Sequence, residues 1–422
     1  MRSSEVHKFG GASVQDAAAI RKVAALLDGE VGSDKVAVVV VSAMGKTTNQ
    51  LEQVWESSAE TRRDLWNACL DRHQQVAKTL GLPPEVEARL LGHFDQCWEE
   101  AAHALSNGQL DAAYDAFVAA GELASTVLVH GWLSKFGFHA SWWDARETLS
   151  TNGKSRFARV DESELVRMGQ SLRDFLYAGE GRHIVVTQGF IGRQADGSTS
   201  TLGREGSDYS ASLLAVAIGA NAVTIWKDVP GMMNADPKRH PEAVTVPQVD
   251  HAEALELSYY GASVIHPRTI KPLQQAGLPL YVRSFVAPDG PFTHIDAFPG
   301  VVPERPMFIW RENQMWLEIF TADRSFVAED HLTALFAALD SVGLHVRLMQ
   351  QSATHFGLLM DRDDIRLARL ESTLHGLHIQ VSHGLTLLTV RHGNEEWMRT
   401  LTGDATILVE QQSGATWRRV LG

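Results

Sequence analysis

Short apolar runs alternate with longer helical patterns along most of the chain. The runs at 36–42, 183–188 and 222–226 have the length of strands and contain almost no polar position. Strands of this composition are typical of a parallel sheet whose two faces are both covered by helices. The pattern therefore predicts an α/β domain with a mainly parallel sheet.

Residues 50–135 depart from this alternation because they are almost wholly helical, with a break at Pro83 and Pro84. We expect these helices to lie over the substrate side of the sheet. Glu122, between Gly121 and Leu123, is the residue of this block that carries candidate chemistry.

The composition changes after residues 301–306, where prolines indicate a linker. We expect one large domain at 1–300 and a second domain at 307–422. The second has a βαββαβ pattern, with strands at 315–321, 345–351, 354–360 and 378–383 and helices at 328–342 and 365–374. Further strands are expected at 385–391 and 406–411. This tail is either part of a degenerate second unit or an extension of the first.

A loop rich in glycine and serine precedes a predicted helix in the segment 199–237. Gly203, Gly206 and Ser207 are small enough for backbone N–H groups to approach an anion closely. The helix is predicted to begin at position 208 or 209, so its N-terminus would face the same anion. The segment therefore predicts a phosphate-binding loop.

The strand at 222–226 delivers Lys227 and Asp228 into the next loop. Ligands in open parallel α/β sheets bind at the carboxyl ends of the strands. We therefore expect this loop to lie beside the same ligand as the glycine-rich loop.

The N-terminus carries a second candidate cradle, in which a short strand leads into Lys8, Gly10 and Gly11 and then into a helix at 14–27. A lysine beside two glycines at the start of a helix is suited to a phosphoryl group. The alternative is an ordinary strand-to-helix turn. Neither GxxxxGK[ST] nor GxGxxG occurs in the segment, so the nucleotide folds that those motifs indicate are not supported.

Composition limits the class of function. The chain has 422 residues, of which 44% are hydrophobic, and a net charge of −13. This charge argues against a general nucleic-acid binder and against a protein that binds anionic membranes. No apolar run approaches the length of a membrane span, and the N-terminus does not resemble a signal peptide. We therefore expect a cytoplasmic enzyme.

The cysteines and histidines do not indicate redox or metal chemistry. Cys69 and Cys97 fall in helical segments and are expected to be core residues. His375, His378 and His383 are close in sequence but lack a metal-binding spacing, so we expect no metal site made of protein ligands.

Seven segments of the chain resemble, in order, motifs of the aspartate kinases of the amino-acid kinase superfamily. They are KFGGAS at 8–13, VVVVSAMGKTTNQL at 38–51, GELAST at 121–126, VTQGFIG at 186–192, LGREGSDYSASLLA at 202–215, IWKDVPGMMNADP at 225–237 and YYGASVIHP at 259–267. The resemblance implies a three-layer αβα kinase domain with a mainly parallel sheet. The region 307–422 is similar to the α+β ACT regulatory modules that follow this domain in the family.

The resemblance implies that ATP phosphorylates the side-chain carboxylate of L-aspartate, giving 4-phospho-L-aspartate on the route to lysine, threonine and methionine. Mg²⁺ is expected to bind with the ATP phosphates, held largely by oxygens and water. The acceptor carboxylate, with an ordinary pKa of about 3.9, is already ionised at neutral pH and needs no general base. Transfer then depends on positioning and on neutralising charge.

The first group of site residues follows from the two cradles. Lys8 is expected to stabilise the transferred phosphoryl group. The backbone that surrounds this phosphoryl group is expected to be shaped by Gly10, Gly11, Gly206 and Ser207. Such donors neutralise the charge that two approaching anions bring together.

The substrate residues follow from the resemblance. Arg204 and Glu122 match the family positions for the α-carboxylate and the α-amino group of aspartate, and a guanidinium suits a planar carboxylate. Ser42 and Thr48 match positions near the substrate, and Asp208 is expected to position the amino group or Lys8. The alternatives are surface ion pairs for Arg204 and Glu122 and capping or turn roles for the hydroxyls.

The residues expected at the nucleotide are Lys227, Asp228, Met233, Asp236, Lys238 and Ser263. The family often has threonine at Lys227 and lysine at Ser263. We hypothesise that Lys227 supplies the cation that is missing at Ser263. The alternative is that Lys227 points to solvent.

The resemblance also implies regulation and assembly. Lysine or threonine is the expected feedback effector, and a homodimer is expected to form through the ACT-like region. Two other functions stay open. One is a catalytically impaired amino-acid sensor, favoured by the missing cation at Ser263. The other is a glutamate- or acetylglutamate-type kinase, although GELAST and GREGSDY look like the aspartate branch.

Overall fold

The computed structural model describes residues 2–262, 264–321, 329–374 and 377–422. The chain divides into two compact units. The first comprises Met1–Met232, Thr245–Ser258 and Ser263–Val301, and the second comprises Met233–Val244, Tyr259–Ala262 and Val302–Gly422. Each unit is built around its own main sheet.

The first unit contains ten strands and nine α-helices among its described residues. The strands are β1 Ser3–Phe9, β2 Lys35–Val41, β3 His139–Trp143, β4 His183–Gln188, β5 Ile191–Arg193, β6 Thr199–Thr201, β7 Ala222–Lys227, β8 Gln248–Asp250, β9 Leu280–Ser284 and β10 Thr293–Asp296. The helices are α1 Ala17–Glu30, α2 Thr47–Glu56, α3 Ala59–Leu80, α4 Pro84–Ser106, α5 Leu110–Phe136, α6 Glu162–Ala178, α7 Gly206–Ile218, α8 His251–Tyr260 and α9 Pro267–Ala276.

Eight of these strands form one sheet in the order β3-β4-β2-β1-β7-β9-β10-β8. The strands from β3 to β9 are parallel to their neighbours, and β10 is antiparallel to β9. Residues 36–41 of β2 are fully buried, as expected for a strand covered on both faces. The predicted mainly parallel α/β fold is confirmed.

Two groups of helices cover the sheet. Helix α5 packs against β2, β3 and β4 and also contacts α1 to α4, whereas α6 and α7 pack against β2 and against each other. The predicted helical block is confirmed as α2 to α5, and its break lies between Leu80 and Pro84. The first unit therefore has the three-layer αβα arrangement.

Helix α5 is the one helix of the described chain that is long and apolar enough to cross a membrane, although the sequence pattern shows no run of that length. It contains Asp115 and Glu122, which interrupt the apolar run. Of its most apolar stretch, 89% is buried inside the protein. It is therefore the central core helix of the first unit.

The second unit is built on an antiparallel sheet. Its elements are β11 Met307–Thr321, α10 Glu329–Val342, β12 Val346–Gln351, β13 Phe356–Asp361, α11 Asp364–Thr373, β14 Leu377–Arg391, α12 Glu395–Thr402, β15 Ile407–Ser413 and β16 Thr416–Leu421. The strand order is β12-β13-β11-β14-β16-β15. The first six elements have the predicted βαββαβ order, so the α+β fold of the ACT-like region is confirmed.

The two faces of this sheet bury different side chains, as a period of two requires. Met315, Leu317 and Ile319 of β11 belong to the core under α10 and α11. Trp316 lies on the other face, in a cluster with Val409 and Val420. The tail of the chain therefore extends the same sheet.

The structure corrects several expected boundaries. Helix α7 begins at Gly206, two or three residues before the predicted start at 208 or 209, because Glu205 takes a left-handed backbone (φ 55°) and serves as its N-cap. The strands expected at 378–383 and 385–391 are the single strand β14, which continues through Gly384. Helix α12 and strand β16 were not predicted, because their short patterns are weak signals.

Two segments that are distant in sequence belong to the second unit through their contacts there. The backbone oxygen of Asn234 accepts a hydrogen bond from the Phe308 N–H at 2.7 Å, and its side-chain amide donates to the Pro306 oxygen at 3.2 Å. The Arg311 Nε donates to the Tyr260 oxygen at 2.7 Å. Segments 233–244 and 259–262 are therefore parts of this unit.

The contact between α6 and α7 requires a glycine at position 169. A Cβ there would lie 2.5 Å from the Ala217 Cβ and 2.6 Å from the Ala217 oxygen. We expect Gly169→Ala to lower the free energy of unfolding by about 1–3 kcal/mol, because both obstructing atoms belong to a packed helix. Denaturant unfolding measures this change.

Gly92 provides the matched control, because it also lies inside a helix but a Cβ there would meet nothing within 4 Å. Gly92→Ala should raise the free energy of unfolding by about 0.5–1 kcal/mol through helix propensity. Equal effects of the two substitutions would contradict the proposed close contact.

Candidate active site

A cavity of about 590 Å³ opens at the carboxyl edge of the sheet in the first unit. The ends of β1, β2, β4 and β7 meet at this edge because these strands are parallel neighbours. Its lining comprises Lys8, Gly11, Ser42, Ala43, Gly45, Thr48, Glu52, Tyr114, Glu122, Arg156, Phe157, Phe190, Gly203, Arg204, Glu205, Gly206, Ser207, Asp208 and Lys227. The location is the one expected for a ligand in an open parallel sheet.

The loops after β1 and β2 lie directly against each other in this cavity. The Gly45 N–H donates to the Gly11 oxygen at 2.9 Å, and the Ser42 N–H donates to the Phe9 oxygen at 3.1 Å. A Cβ on Gly11 would lie 2.7 Å from the Gly45 oxygen and 2.8 Å from the Ala43 oxygen. The close approach of the two loops therefore requires glycine at position 11.

A buried cluster of three charges joins β1, β7 and α7. The Lys8 and Lys227 ammonium groups lie 2.7 Å from different oxygens of Asp208, which is 2% exposed. Burial acts to raise the pKa of Asp208, but the two ammonium groups outweigh it and the pKa is lowered. Burial likewise acts to lower the pKa of Lys227, and the pull of Asp208 reverses that effect. The site therefore holds two cations against one firmly ionised carboxylate.

Two helices direct their N-termini towards the cavity. Helix α2 brings Thr48 and helix α7 brings Gly206 and Ser207 to its lining. Neither helix has a side-chain hydrogen bond at its N-cap. Their first-turn N–H groups, together with the helix dipoles, are suited to bind an anion.

Glu122 presents a buried carboxyl group to the cavity from α5. It is 3% exposed, and its Oε2 has no hydrogen-bond partner among the described residues. Burial raises the pKa of Glu122 to about 8, although a hydrogen bond from the Ala43 backbone and the charge of Lys8 act to lower it. A buried acceptor without a partner is suited to receive a cationic group such as an ammonium.

The residues that precede α7 carry charge without fixed partners. Arg204 is exposed on the cavity wall and makes no hydrogen bond or ion pair within the described part of the chain. Burial raises the pKa of Glu205, whose Oε2 also lacks a partner there. The wall therefore offers a guanidinium that is available to an anion.

A further basic group, Arg156, was not expected at the site. Its guanidinium lies over the Tyr114 ring at 4.2 Å, and the Tyr114 hydroxyl donates to Glu52 at 2.7 Å. No motif indicated these residues, because they lie on separate helices and on an irregular loop. Only the folded chain brings them together.

The structure brings ten of the predicted site residues to one cavity. They are Lys8, Gly11, Ser42, Thr48, Glu122, Arg204, Gly206, Ser207, Asp208 and Lys227. Gly10 is next to this lining, and a Cβ on it would lie 3.4 Å from the Lys8 ammonium. Asp228 is exposed in the loop after β7.

The remaining residues predicted at the nucleotide are Met233, Asp236, Lys238 and Ser263. Met233, Asp236 and Lys238 belong to the second unit, where the Asp236 side chain accepts a hydrogen bond from the Lys238 N–H at 2.9 Å. Ser263 lies outside the described residues. The idea that Lys227 points to solvent is wrong, because its ammonium pairs with Asp208.

Within the described ranges, no group of three or more His, Cys, Asp and Glu side chains could hold a metal ion. Cys69 and Cys97 are both buried and free, and burial raises the pKa of Cys69 to about 11. The expectation that both are core residues is confirmed.

The family model described as Amino acid kinase family matches residues 5–284. Lysine-sensitive aspartokinase 3 of Escherichia coli is 32% identical over 402 residues, which is 91% of this chain and 86% of the relative. Bifunctional aspartokinase/homoserine dehydrogenase 2 of the same organism is 36% identical over 305 residues. That match covers 70% of this chain but only 36% of the bifunctional relative.

The solved structures agree with these relatives. E. coli aspartokinase III in complex with aspartate and ADP, in the R-state, is similar with a TM-score of 0.85 at 27% identity, over 99% of this chain and 96% of that chain. The T-state complex with lysine and aspartate has a TM-score of 0.80 at the same identity, over 99% and 95%. The chain belongs to the amino acid kinase family and, within it, to the aspartokinases.

Proposed function

We propose that this chain transfers the terminal phosphoryl group of ATP to the side-chain carboxylate of L-aspartate. The observation that carries this proposal is the meeting, in one cavity, of groups suited to an amino acid and groups suited to a phosphate. Aspartokinase III of E. coli, which is similar over 99% of this chain, was solved with aspartate and ADP. The product is 4-phospho-L-aspartate.

Glu122 and Arg204 bind the two charged groups that every amino acid carries. The Oε2 of Glu122, which has no partner among the described residues, receives the α-ammonium, and the exposed guanidinium of Arg204 receives the α-carboxylate. Ser42 and Thr48 lie on the same cavity and supply hydroxyl groups for the substrate. This arrangement leaves the side-chain carboxylate to face Lys8.

Lys8 neutralises the phosphoryl group during transfer. A carboxylate oxygen of aspartate attacks the γ-phosphorus while the bond from that phosphorus to the β,γ-bridging oxygen breaks, and ADP departs. No proton has to move, because the attacking carboxylate is already ionised. Gly10, Gly11, Gly206 and Ser207 shape the backbone that receives the phosphate oxygens.

Lys227 supports this step from the opposite side of Asp208. By sharing Asp208, the two lysines leave the cluster with one positive charge in excess. That excess helps two anions to approach each other. The nucleotide itself is proposed to contact Lys227, Asp228, Met233, Asp236, Lys238 and Ser263.

Mg²⁺ is proposed to accompany ATP. Because no cage of protein ligands is present among the described residues, the ion would be held mainly by phosphate oxygens and water. When bound, it supplies further neutralisation of the phosphate charge. Lys8 and Lys227 provide the cationic groups of this chain that act beside it.

We further propose that residues 1–300 form the catalytic domain and that 307–422 form a regulatory region that binds lysine or threonine. The E. coli relative is named lysine-sensitive, and a related structure contains lysine. A homodimer through the ACT-like region and a cytoplasmic location complete the proposal. An assay of ADP release, with lysine or threonine added, distinguishes these two effectors.

A coupled assay of ADP release tests the activity. Purified chain with ATP and Mg²⁺ should release ADP with L-aspartate and much more slowly with L-glutamate or N-acetyl-L-glutamate. A preference for glutamate or acetylglutamate would instead favour the other branches of the family. No release with any of the three, from folded protein, would favour the catalytically impaired sensor.

Lys8→Met should lower kcat about 10²–10³-fold, because it removes a charge aimed at the transferred phosphoryl group. The fold should persist, since Asp208 keeps its ion pair with Lys227. Lys35→Met is the matched control, because Lys35 forms a similar 2.7 Å pair with Glu5 on neighbouring strands, outside the cavity. An equal loss of kcat in both variants would contradict the assignment.

The raised pKa of Glu122 predicts how aspartate binding depends on pH. An ammonium requires the carboxylate form, so the affinity for aspartate should rise by up to about tenfold per pH unit below pH 8 and level off above it. Glu122→Gln should weaken binding and abolish this dependence. Calorimetric titrations with aspartate between pH 6 and 9 measure both effects.

The Glu122 carboxyl group also makes the free energy of unfolding depend on pH, but this quantity falls with rising pH whereas the affinity for aspartate rises. Its folded pKa lies above the ordinary value of 4.5, so its contribution to the free energy of unfolding is present at low pH and is lost as pH rises towards 8. Glu122→Gln should therefore lose this pH dependence and remain folded. If the free energy of unfolding fell more steeply with rising pH in Glu122→Gln than in the wild type, the assignment of a raised pKa to the buried Glu122 carboxyl group would be contradicted.

A further inference from the structure

Arg156 lines the cavity with a charge that the proposed reaction has not yet used. Its Nε is buried and has no hydrogen-bond partner within the described ranges. It forms an ion pair with Asp111, at 3.5 Å, and the Asp111 side chain is 65% exposed. Such an exposed pair contributes little, so the guanidinium retains most of its capacity to bind an anion.

The backbone of Arg156 is held in place by a buried carboxylate. Its N–H donates to both oxygens of Asp115, at 3.0 and 2.9 Å, and the Thr201 hydroxyl donates to Asp115 at 2.5 Å. Arg156 has a left-handed conformation (φ 64°), which is uncommon for a bulky residue. The surrounding contacts therefore fix a strained position at the cavity.

The side chain of Arg156 is also held in place. Its guanidinium lies 4.2 Å from the centre of the Tyr114 ring and 5.1 Å from that of Trp55. The hydrogen bond from the Tyr114 hydroxyl to Glu52 fixes the ring itself. An arginine stacked in this way presents its planar edge in a defined direction.

The loop of Arg156 runs beside the loop of Arg204. The Ala158 N–H donates to the Thr201 oxygen at 2.9 Å. Gly203, which directly precedes Arg204, lies so close that a Cβ would be 3.4 Å from the Arg156 oxygen. The backbones of both arginines therefore lie on the same side of the cavity, and both residues line it.

We propose that Arg156 is a specificity-determining residue, which binds the α-carboxylate of the amino-acid substrate together with Arg204. This inference rests on the proposed function. A pair of guanidinium groups favours a substrate with a free α-carboxylate and leaves the side-chain carboxylate as the only acceptor. Removing one of the two guanidinium groups lowers the selectivity for a charged α-carboxylate. A change in fold stability alone does not alter this selectivity.

The α-amide of L-aspartate tests this selectivity, because it keeps the acceptor carboxylate but has no charge at the α position. The wild-type protein should have a much higher kcat/KM for aspartate than for the α-amide. Arg156→Gln should raise the KM for aspartate about tenfold or more, because a charge-assisted hydrogen bond is lost. Its kcat/KM for the α-amide should change little, so the ratio of the two values falls.

Two further variants make the result specific. Arg156→Lys keeps the charge and the aliphatic stem but loses the planar edge, so its ratio should lie between those of the wild type and Arg156→Gln. Arg63→Gln is the matched control, because Arg63 is stacked over Trp98 at 4.5 Å outside the cavity. Its ratio should equal that of the wild type.

An unchanged ratio in folded Arg156→Gln or Arg156→Lys overturns the proposal. If the wild-type protein does not phosphorylate aspartate, the proposed function fails. The selectivity can then still be measured by calorimetry, as the ratio of the affinities for aspartate and for its α-amide. Weaker binding of aspartate alone in Arg156→Gln would still support the role of Arg156. Equal weakening of both ligands would overturn it.

Discussion

The candidate site depends on the buried pairing of Asp208 with Lys8 and Lys227. Moving three charged groups out of water costs several kcal/mol for each group, and only close ion pairs offset that cost. The two 2.7 Å contacts meet this requirement and tie β1, β7 and the first turn of α7 to one carboxylate. The position of the phosphate cradle and the placement of two cations at the sheet edge are therefore consequences of one interaction.

Strained backbone and an unsatisfied polar group surround this cluster. Three of the five non-glycine residues with left-handed backbone in the described chain, Arg156, Phe190 and Glu205, line the cavity. Glu122 adds a buried acceptor that has no partner in the described part of the chain. Strained backbone and unsatisfied polar groups persist where binding or catalysis needs them and where rigid neighbours hold them. Here the neighbours are the central strands and the buried helix α5.

The sequence predicts what local pattern determines. Apolar runs place β2, β4 and β7, and ordered motifs place Lys8, Glu122 and Arg204 on one cavity. The sequence does not predict the direction of a side chain whose partner is distant along the chain. It therefore left open whether Lys227 faces solvent or the site. Arg156 was missed for a related reason. Its position depends on Asp115, which lies 41 residues away, and on a left-handed backbone that no motif indicates.

The membership of segments 233–244 and 259–262 in the second unit has a consequence for protein engineering. A chain ended after residue 301 would leave Asn234 without its partners at Pro306 and Phe308, and would remove Arg311 from Tyr260. A single cut after residue 301 would therefore leave two segments in the N-terminal fragment without the hydrogen-bond partners that they have in the second unit. A chimera that exchanges the C-terminal region with a relative must exchange these two segments as well, because they form part of the same folded body.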